Sequence, residues 1–395
     1  MLRKWLALGA ALGLIAVATL VPLSGEPASG RSPSWCLACG DFGVADALLN
    51  MVLFAPLGCA LAYAGARIDR ALALIVITTV GVEVLQYTVV RGRTASVSDV
   101  LANSLGGALG LVLAGGLRRA AASARHALAG TTVYGAAIVA VMATALALQS
   151  VRRPAALHWT ERSPVRPRGF VYFTGSVGPV LVDGTPLASG ASRAIAAKAP
   201  VDIAIAVQSG RPDTRRAEVV QFWTPQGRGW AWADQQDRDV RVHVASVSDA
   251  VHLRGHTSWV RGVMPAVPNE PVTVRISVRP FSYRVGVIAS DSTVEASTQI
   301  SPGDGWRLLV PFERQRERWA SLLTGLWIAA LLAPLAYLAR LHSRGTLVGA
   351  AAGAGAYLVL LPMLTGCAWL PLAGWCGAAT GFAAGAMAAN VPAGR

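Results

Sequence analysis

The chain has 395 residues, of which 53% are hydrophobic and only 14% charged; average soluble domains carry nearly twice that share of charge. Its apolar residues fall in near-continuous runs of about 20, the length that crosses a hydrocarbon core as a helix, and this excludes an ordinary soluble globule. A formal charge of +14 would suit nucleic acid, but the basic residues sit mostly at the ends of the apolar runs and in one polar region, so topology signals and membrane-lipid contact account for them and no nucleic acid is expected.

In chain order the predicted spans are 5–23, 46–65, 70–90, 98–117, 129–150, 319–339, 345–363 and 368–389. Arg3 and Lys4 precede the first, Arg67 and Arg70 lie between the second and third, and Arg118, Arg119 and Arg125 follow the fourth. Arg340 and Arg344 separate the sixth and seventh, and Arg395 ends the chain. Every second connection is thus basic, which puts these in the cytoplasm and turns 24–45, 91–97, 151–318 and 364–367 outward. The first run also fits a cleaved signal peptide ending near Ala28-Ser29-Gly30, but its length favours a retained helix. The expected fold is an α-helical polytopic protein of the cytoplasmic (inner) membrane with about eight spans and an inserted extracytoplasmic antiparallel β-sandwich. Its expected parts are a helical module 1–128, a fifth span 129–150, the sandwich 151–318 and C-terminal helices 319–395.

Ionisable side chains are costly inside a span and usually face a bundle interior or a wet cavity. Here they come in pairs at helical spacing: Asp46 with Asn50, Glu83 with Gln86, and Asp99 with Asn103. Gln86 and Glu83 lie roughly 6 and 10 Å below the outer end of their span, level with the other two pairs. Arg91 and Arg93 break the charge rule in an outward loop and hang just above this layer. One reading is an interhelical hydrogen-bond network in which Arg93 neutralises a carboxylate. Against pure glue stands the number of carboxylates, since amides would hold helices at less desolvation cost.

The stretch Asp46-x3-Asn50-x3-Phe54-x-Pro56-x-Gly58, Glu83-x2-Gln86, Gly92-Arg93 and Asp99-x3-Asn103-x2-Gly106-x3-Gly110 resembles the VanZ-like family over about residues 1–117. The resemblance implies a four-helix membrane module of the bacterial cell envelope, in a family whose namesake is linked to teicoplanin-type antibiotic resistance. It implies no particular reaction. Gly106, Gly107 and Gly110 read as a face for close helix approach, and Pro56 as a structural kink.

Of the five cysteines, Cys36 and Cys39 lie in an outward loop and suggest a small disulfide; no metal site and no cofactor is expected. Cys59 reads as a packing residue. Residues 151–318 carry alternating runs at 201–205, 217–222, 240–244, 272–278 and 283–287, separated by turn signals at Asp183-Gly184, Ser209-Gly210, Gln226-Gly227 and Pro268-Asn269. Such short strands indicate an antiparallel sandwich. Their order, with the hydrophobic pattern around Phe222, resembles the concanavalin-type (laminin-G-like) sandwich. Aromatic faces stack on sugars; Trp223 reads as core, whereas Trp230 and Trp232, in a Gly-rich turn, are the candidates for exposure and glycan contact. The stretch 313–318 reads as a solvated helical extension, and the last three spans as an anchor.

Two functions fit these residues. One is an envelope-binding protein whose sandwich holds glycan and whose bundle engages a lipid headgroup or lipid-linked cell-wall intermediate through Asp46, Asn50, Gln86, Asn103, Arg91 and Arg93. The other is an outward-facing membrane enzyme on a lipid-linked or phosphate-containing substrate, with Glu83 or Asp99 as general base and Arg93 as anion clamp.

Overall fold

A computed structural model describes residues 2–20, 42–90, 96–161, 170–195, 200–290, 292–310 and 319–390. Arg91, Arg93, Cys36, Cys39, the stretch 313–318 and the region around Ala28 lie outside the described residues.

Among the described residues, eight α-helices occupy the expected runs: α1 (Leu2–Leu20), α2 (Gly43–Ala64), α3 (Ile68–Thr88), α4 (Val97–Ala122), α5 (Ala124–Gln149), α6 (Ala320–His342), α7 (Arg344–Thr365) and α8 (Leu372–Ala388). Five of them, α2, α4, α5, α6 and α7, are long and apolar enough to cross a membrane. Lys4–Leu20 and Leu372–Ala388 are apolar but shorter, and α3 carries Asp69 and Arg70 at one end and Glu83 and Gln86 near the other. Much of the helical surface is apolar and outward: Val112 and Leu105 of α4 are largely exposed, and α7 buries only Leu358 and Pro362.

Two glycine seams hold the helices together. A Cβ on Gly58, Gly106 or Gly110 would run into the backbone of Gly107, Met51 or Ala55 respectively, so α2 and α4 meet backbone to backbone. The close approach anticipated for Gly106 and Gly110 is therefore real, and the Cys59 thiol adds a 3.3 Å contact to the Gly110 carbonyl. The second seam joins α8 to α6, where Gly377, Gly381 and Gly385 face the carbonyls of Gly325, Ala329 and Ala333. Small residues four apart put one bare stripe on a helix face and let dispersion contacts accumulate where lipid offers no hydrophobic drive. Pro56 lies inside α2, which continues through it.

Between α5 and α6 the chain forms two packed sheets. One has β1 (Ala156–Thr160), β2 (Phe170–Tyr172), β5 (Arg193–Ala194), β7 (Arg216–Trp223), β8 (Gly229–Gln236), β9 (Asp239–Val244) and β10 (His256–Val260) in the order β10-β9-β8-β7-β1-β5, with β2 also on β7. The other has β3 (Ser176–Val182), β4 (Thr185–Leu187), β6 (Val201–Gln208), β11 (Pro271–Arg279), β12 (Ser282–Ala289) and β13 (Ser292–Gln299) in the order β13-β12-β11-β6-β3-β4. All pairs are antiparallel except β2 with β7, which is parallel. Each of the five alternating runs lies in a strand. Their apolar members, such as Ile203, Ile205, Phe222, Val242, Val274 and Val285, fill one common core. Asp183 and Gly184, both at positive φ, make the two-residue turn between β3 and β4, a mirror-image turn that matches the twist of the strands it joins.

The aromatic assignments change. Hydrogen bonds between Thr224 and Arg228 and from Gly227 to Thr224 close the Gly-rich turn early, and strand geometry resumes at Gly229. A bulge pairs Trp223 with Gly229 and Phe222 with Ala231, which turns Trp230 into the core at 2% exposure, its indole donating to the Arg152 carbonyl at 2.7 Å. Trp232 points to the outer face of its sheet and stacks on His243, ring centroids 4.0 Å apart. Trp223, expected in the core, is half-buried, with its indole on Thr160 at 3.1 Å; alternation gives the inward place to Phe222.

Candidate functional site

Members of the three polar pairs meet at one end of the helices, Asn50 with Asp99 directly and Glu83 with Asp99 through Ser96. Ser96 caps α4, accepting the Asp99 amide at 3.1 Å. Its own amide donates to Glu83 of α3 at 2.9 Å. Asn50 of α2 donates to Asp99 at 2.5 Å. Gln86 donates to the Thr19 carbonyl at the end of α1 at 3.0 Å. One end of all four N-terminal helices is thereby joined through amide, carboxylate and capping groups. Glu83, Gln86 and Asn103 are buried, Asn50 and Asp99 half-buried, and Asp46 exposed. The Asn103 side-chain oxygen, one turn below Asp99, has no hydrogen-bond partner among the described residues. A buried acceptor left open costs free energy and marks a place where a donor fits.

Asp46 stands apart from this chain of bonds. Its partner is Arg254, from the β region, at 2.7 Å. The same guanidinium donates to the Leu309 carbonyl at 3.0 Å and lies 4.6 Å over the Phe42 ring. Next to it the Ala45 amide reaches the His252 carbonyl at 3.3 Å, and Leu253 packs with Ala45, Ala145 and Leu308. The loop 252–255 therefore sits on the mouth of the polar layer. Arg254 was not a sequence candidate. It is one of many arginines in a polar region, and no local pattern connects it to α2.

Two buried acid clusters hold that loop. In the 3-10 turn Val247–Val251, Asp249 accepts from the Ser246 amide and hydroxyl at 2.8 and 2.9 Å and from His243 at 3.1 Å. Burial alone would raise the Asp249 carboxyl, but the His243 bond and charge and the Ser246 donors outweigh it and hold it below its usual range. In the second 3-10 turn, Pro302–Leu308, Asp304 caps through Ser301 and pairs with Arg307 at 2.9 Å. Trp306 donates to Thr324 of α6 at 3.0 Å. His256 lies between the clusters. Burial, assisted by the Arg307 charge, pushes its pKa down to about 4, so the ring is neutral. On the outer face of the seven-stranded sheet, Asp234 and Arg241 form a buried pair at 3.0 Å. Desolvation raises Asp234 to about 6 despite Arg241.

Trp230, Trp232 and the bundle residues thus do not form one site. Trp232 belongs to the His243 cluster, and the bundle layer meets the β region through Arg254 instead. Chemically, the layer offers carboxylates and amides that accept or donate hydrogen bonds to a polar headgroup, closed from above by a cationic loop.

Residues 9–118, which include every bundle residue of this layer, match the VanZ/LLP1 family model. No curated protein and no solved structure matches the chain.

Proposed function

We propose that this chain, with its VanZ/LLP1 module at residues 9–118, is a multi-pass protein of the bacterial inner membrane that binds cell-envelope components on its outer face and alters susceptibility to glycopeptide-type antibiotics. The observation that carries this reading is the Arg254–Asp46 pair. It makes the β region part of the polar layer, so that a headgroup held by the layer meets both. The basic connections between alternate spans support an outward β region and eight spans. The two-sheet core supports a laminin-G-like reading of that region, a type suited to holding glycan.

The test compares growth under glycopeptide and lipoglycopeptide stress for wild type, Glu83→Gln, Arg93→Ala, Arg254→Ala and a deletion of 151–318, each checked for membrane insertion. The point variants lose the wild-type response while remaining inserted; a full response in all three sinks the bundle as a functional site.

A second reading, an enzyme acting on a lipid-linked or phosphate-containing substrate, draws support from Glu83 beside the α4 cap and from the open Asn103 acceptor. Glu83 or Asp99 would accept a proton and Arg93 hold the anion. Purified protein in nanodiscs decides between the two. The enzyme reading expects release of phosphate or headgroup from a lipid-pyrophosphate substrate that Glu83→Gln abolishes while leaving binding intact; absence of any release leaves the binding reading.

A further inference from the structure

The glycan half of that reading began with Trp230 and Trp232, but one is in the core and the other is stacked on His243. The opposite sheet presents a different surface. Along β11 the inner face is Val272, Val274, Ile276 and Val278, and the outer face carries Thr273, Arg275, Ser277 and Arg279. Across the ladder Ser277 stands opposite Arg284 of β12, and Arg275 opposite Gly286. Both Arg275 and Arg279, like Arg284, are exposed. At about 3.3 Å per residue, the three guanidinium stems rise along the sheet at intervals of roughly 7 Å.

What lies between them is small. The strand rows read Ala204–Arg275–Gly286–Glu295, Asp202–Ser277–Arg284–Ser297 and Arg279–Ser282–Gln299. The floor is therefore Ala204, Ser277, Gly286, Ser282 and Ser297. A groove of about 350 Å³ passes over Ala204 and Gly286 with Asp202, Arg275, Arg284 and Glu295 as its walls. A second hollow of about 170 Å³ continues it past Ser277 to Arg279 and Gln299. Gly286 leaves room for the first hollow: a Cβ there would already touch Glu295 at 3.6 Å and Arg275 at 3.9 Å. Among the described residues these walls form one ion pair, Arg284 with Glu295, which is long at 3.9 Å and exposed, so it yields readily to a stronger anionic partner. The lower end is fixed in place. The turn between β11 and β12 carries Phe281, which packs with Leu146, Leu361 and Cys367 at the ends of α5 and α7. Arg279 is thus the rung nearest the helices, and the groove leads away from them.

We propose that this face binds an acidic polysaccharide chain, its carboxylate or phosphate groups paired with Arg279, Arg284 and Arg275 and its hydroxyls donating to Asp202 and Glu295. The inference rests on the glycan-binding reading above and specifies its ligand. Charge complementarity favours an acidic sugar over a neutral one. The carboxylate walls favour a hydroxyl-rich chain over a bare polyanion, and the continuity of two hollows favours a chain over a single sugar.

The experiment uses the full chain in nanodiscs of zwitterionic lipid, with alginate oligosaccharides of one length as the acidic probe and dextran oligosaccharides as the neutral one. Wild type binds alginate and not dextran, and binding weakens with salt. Substituting Arg275, Arg279 and Arg284 together by Ala weakens it by at least about tenfold. Gly286→Leu, which fills the hollow and removes no charge, does the same. Replacing Arg152, Arg211 and Arg228 by Ala removes the same charge elsewhere and leaves binding within about twofold. Tryptophan fluorescence checks that each variant keeps its β core. Dextran bound as tightly as alginate overturns the acidic ligand and keeps glycan binding. Alginate binding lost in Trp232→Ala but not in the groove variants moves the site to the other sheet and overturns this one. Binding of neither probe removes both the groove and the glycan reading.

Discussion

His256 is buried between two acid clusters and keeps its ring neutral, with a pKa near 4 where the free side chain has 6.5. A depressed histidine contributes stability that is present above pH 6.5 and is lost as pH falls toward 4, because the unfolded chain takes up the proton first. Asp234 works the other way. Its pKa is raised to about 6 from 3.8, so its contribution falls as pH rises through that window. The two slopes oppose each other between about pH 4 and 6, so in His256→Gln the β-region melting temperature, followed by tryptophan fluorescence, falls with rising pH where the wild type stays nearly level. The His256 contribution that the variant removes is at most about 3 kcal/mol. A slope unchanged in the variant would place the titration elsewhere. Asp234→Ala leaves Arg241 buried at 15% exposure without its acid. The expected cost is about 3–5 kcal/mol in denaturant titration, and a loss below about 1 kcal/mol would mean that Arg241 reaches water instead.

At the scale of elements, the two glycine seams carry the helix packing. Gly106→Leu and Gly381→Leu each force α2 from α4 or α8 from α6, and thermal aggregation in detergent should begin well below the wild-type temperature, for a cost above about 3 kcal/mol. Gly115→Ala, at a position open on all sides, should leave it unchanged. The first seam was readable in advance, because Gly106 and Gly110 four apart on an apolar run put a bare stripe on one helix face; the second has the same spacing at Gly377, Gly381 and Gly385, but the last spans read only as an anchor. The strands were readable for a related reason: alternation such as Val272-Thr273-Val274-Arg275 fits only a surface with one wet face and one dry face. The tryptophans were not. Two residues apart, Trp230 and Trp232 would share a face of a regular strand; the bulge that pairs Trp223 with Gly229 and Phe222 with Ala231 turns Trp230 alone inward, and no pattern in the sequence marks it. Arg254 and Asp46 are 208 residues apart, and no periodicity spans that distance. The pairing is set by how the two parts dock. Of the polar layer, the helical spacing foretold which residues share a face, while the Ser96 cap that links Glu83 to α4 emerged only from the fold.

At the scale of the molecule, the β region is fastened to the helices at several points: Ala45 to His252, Asp46 to Arg254, Ala368 to Ile300 and Trp306 to Thr324. A charge at Asp46 that is 57% exposed adds little stability by itself. Its removal should show in docking instead. In Asp46→Asn and Arg254→Ala, limited proteolysis should cut the loop 252–255 about two- to fivefold faster, in line with a loss of up to about 1 kcal/mol of protection, while the β core melts as before. Equal cutting rates would show that Leu253 and the backbone contacts suffice.

The seat of the 302–308 turn has a consequence for biosynthesis. Gly305 fits against Ala145 of α5 and Trp327 of α6, and Trp306 and Asp304 meet Thr324 of α6. The β strands precede α6 in the chain, so their core can close while the ribosome is still making the C-terminal helices. The turn cannot find its place until α6 has entered the bilayer beside α5. Seating of this turn therefore waits for α6, and a chain released before α6 would carry a closed sandwich held to the polar layer through His252, Leu253 and Arg254.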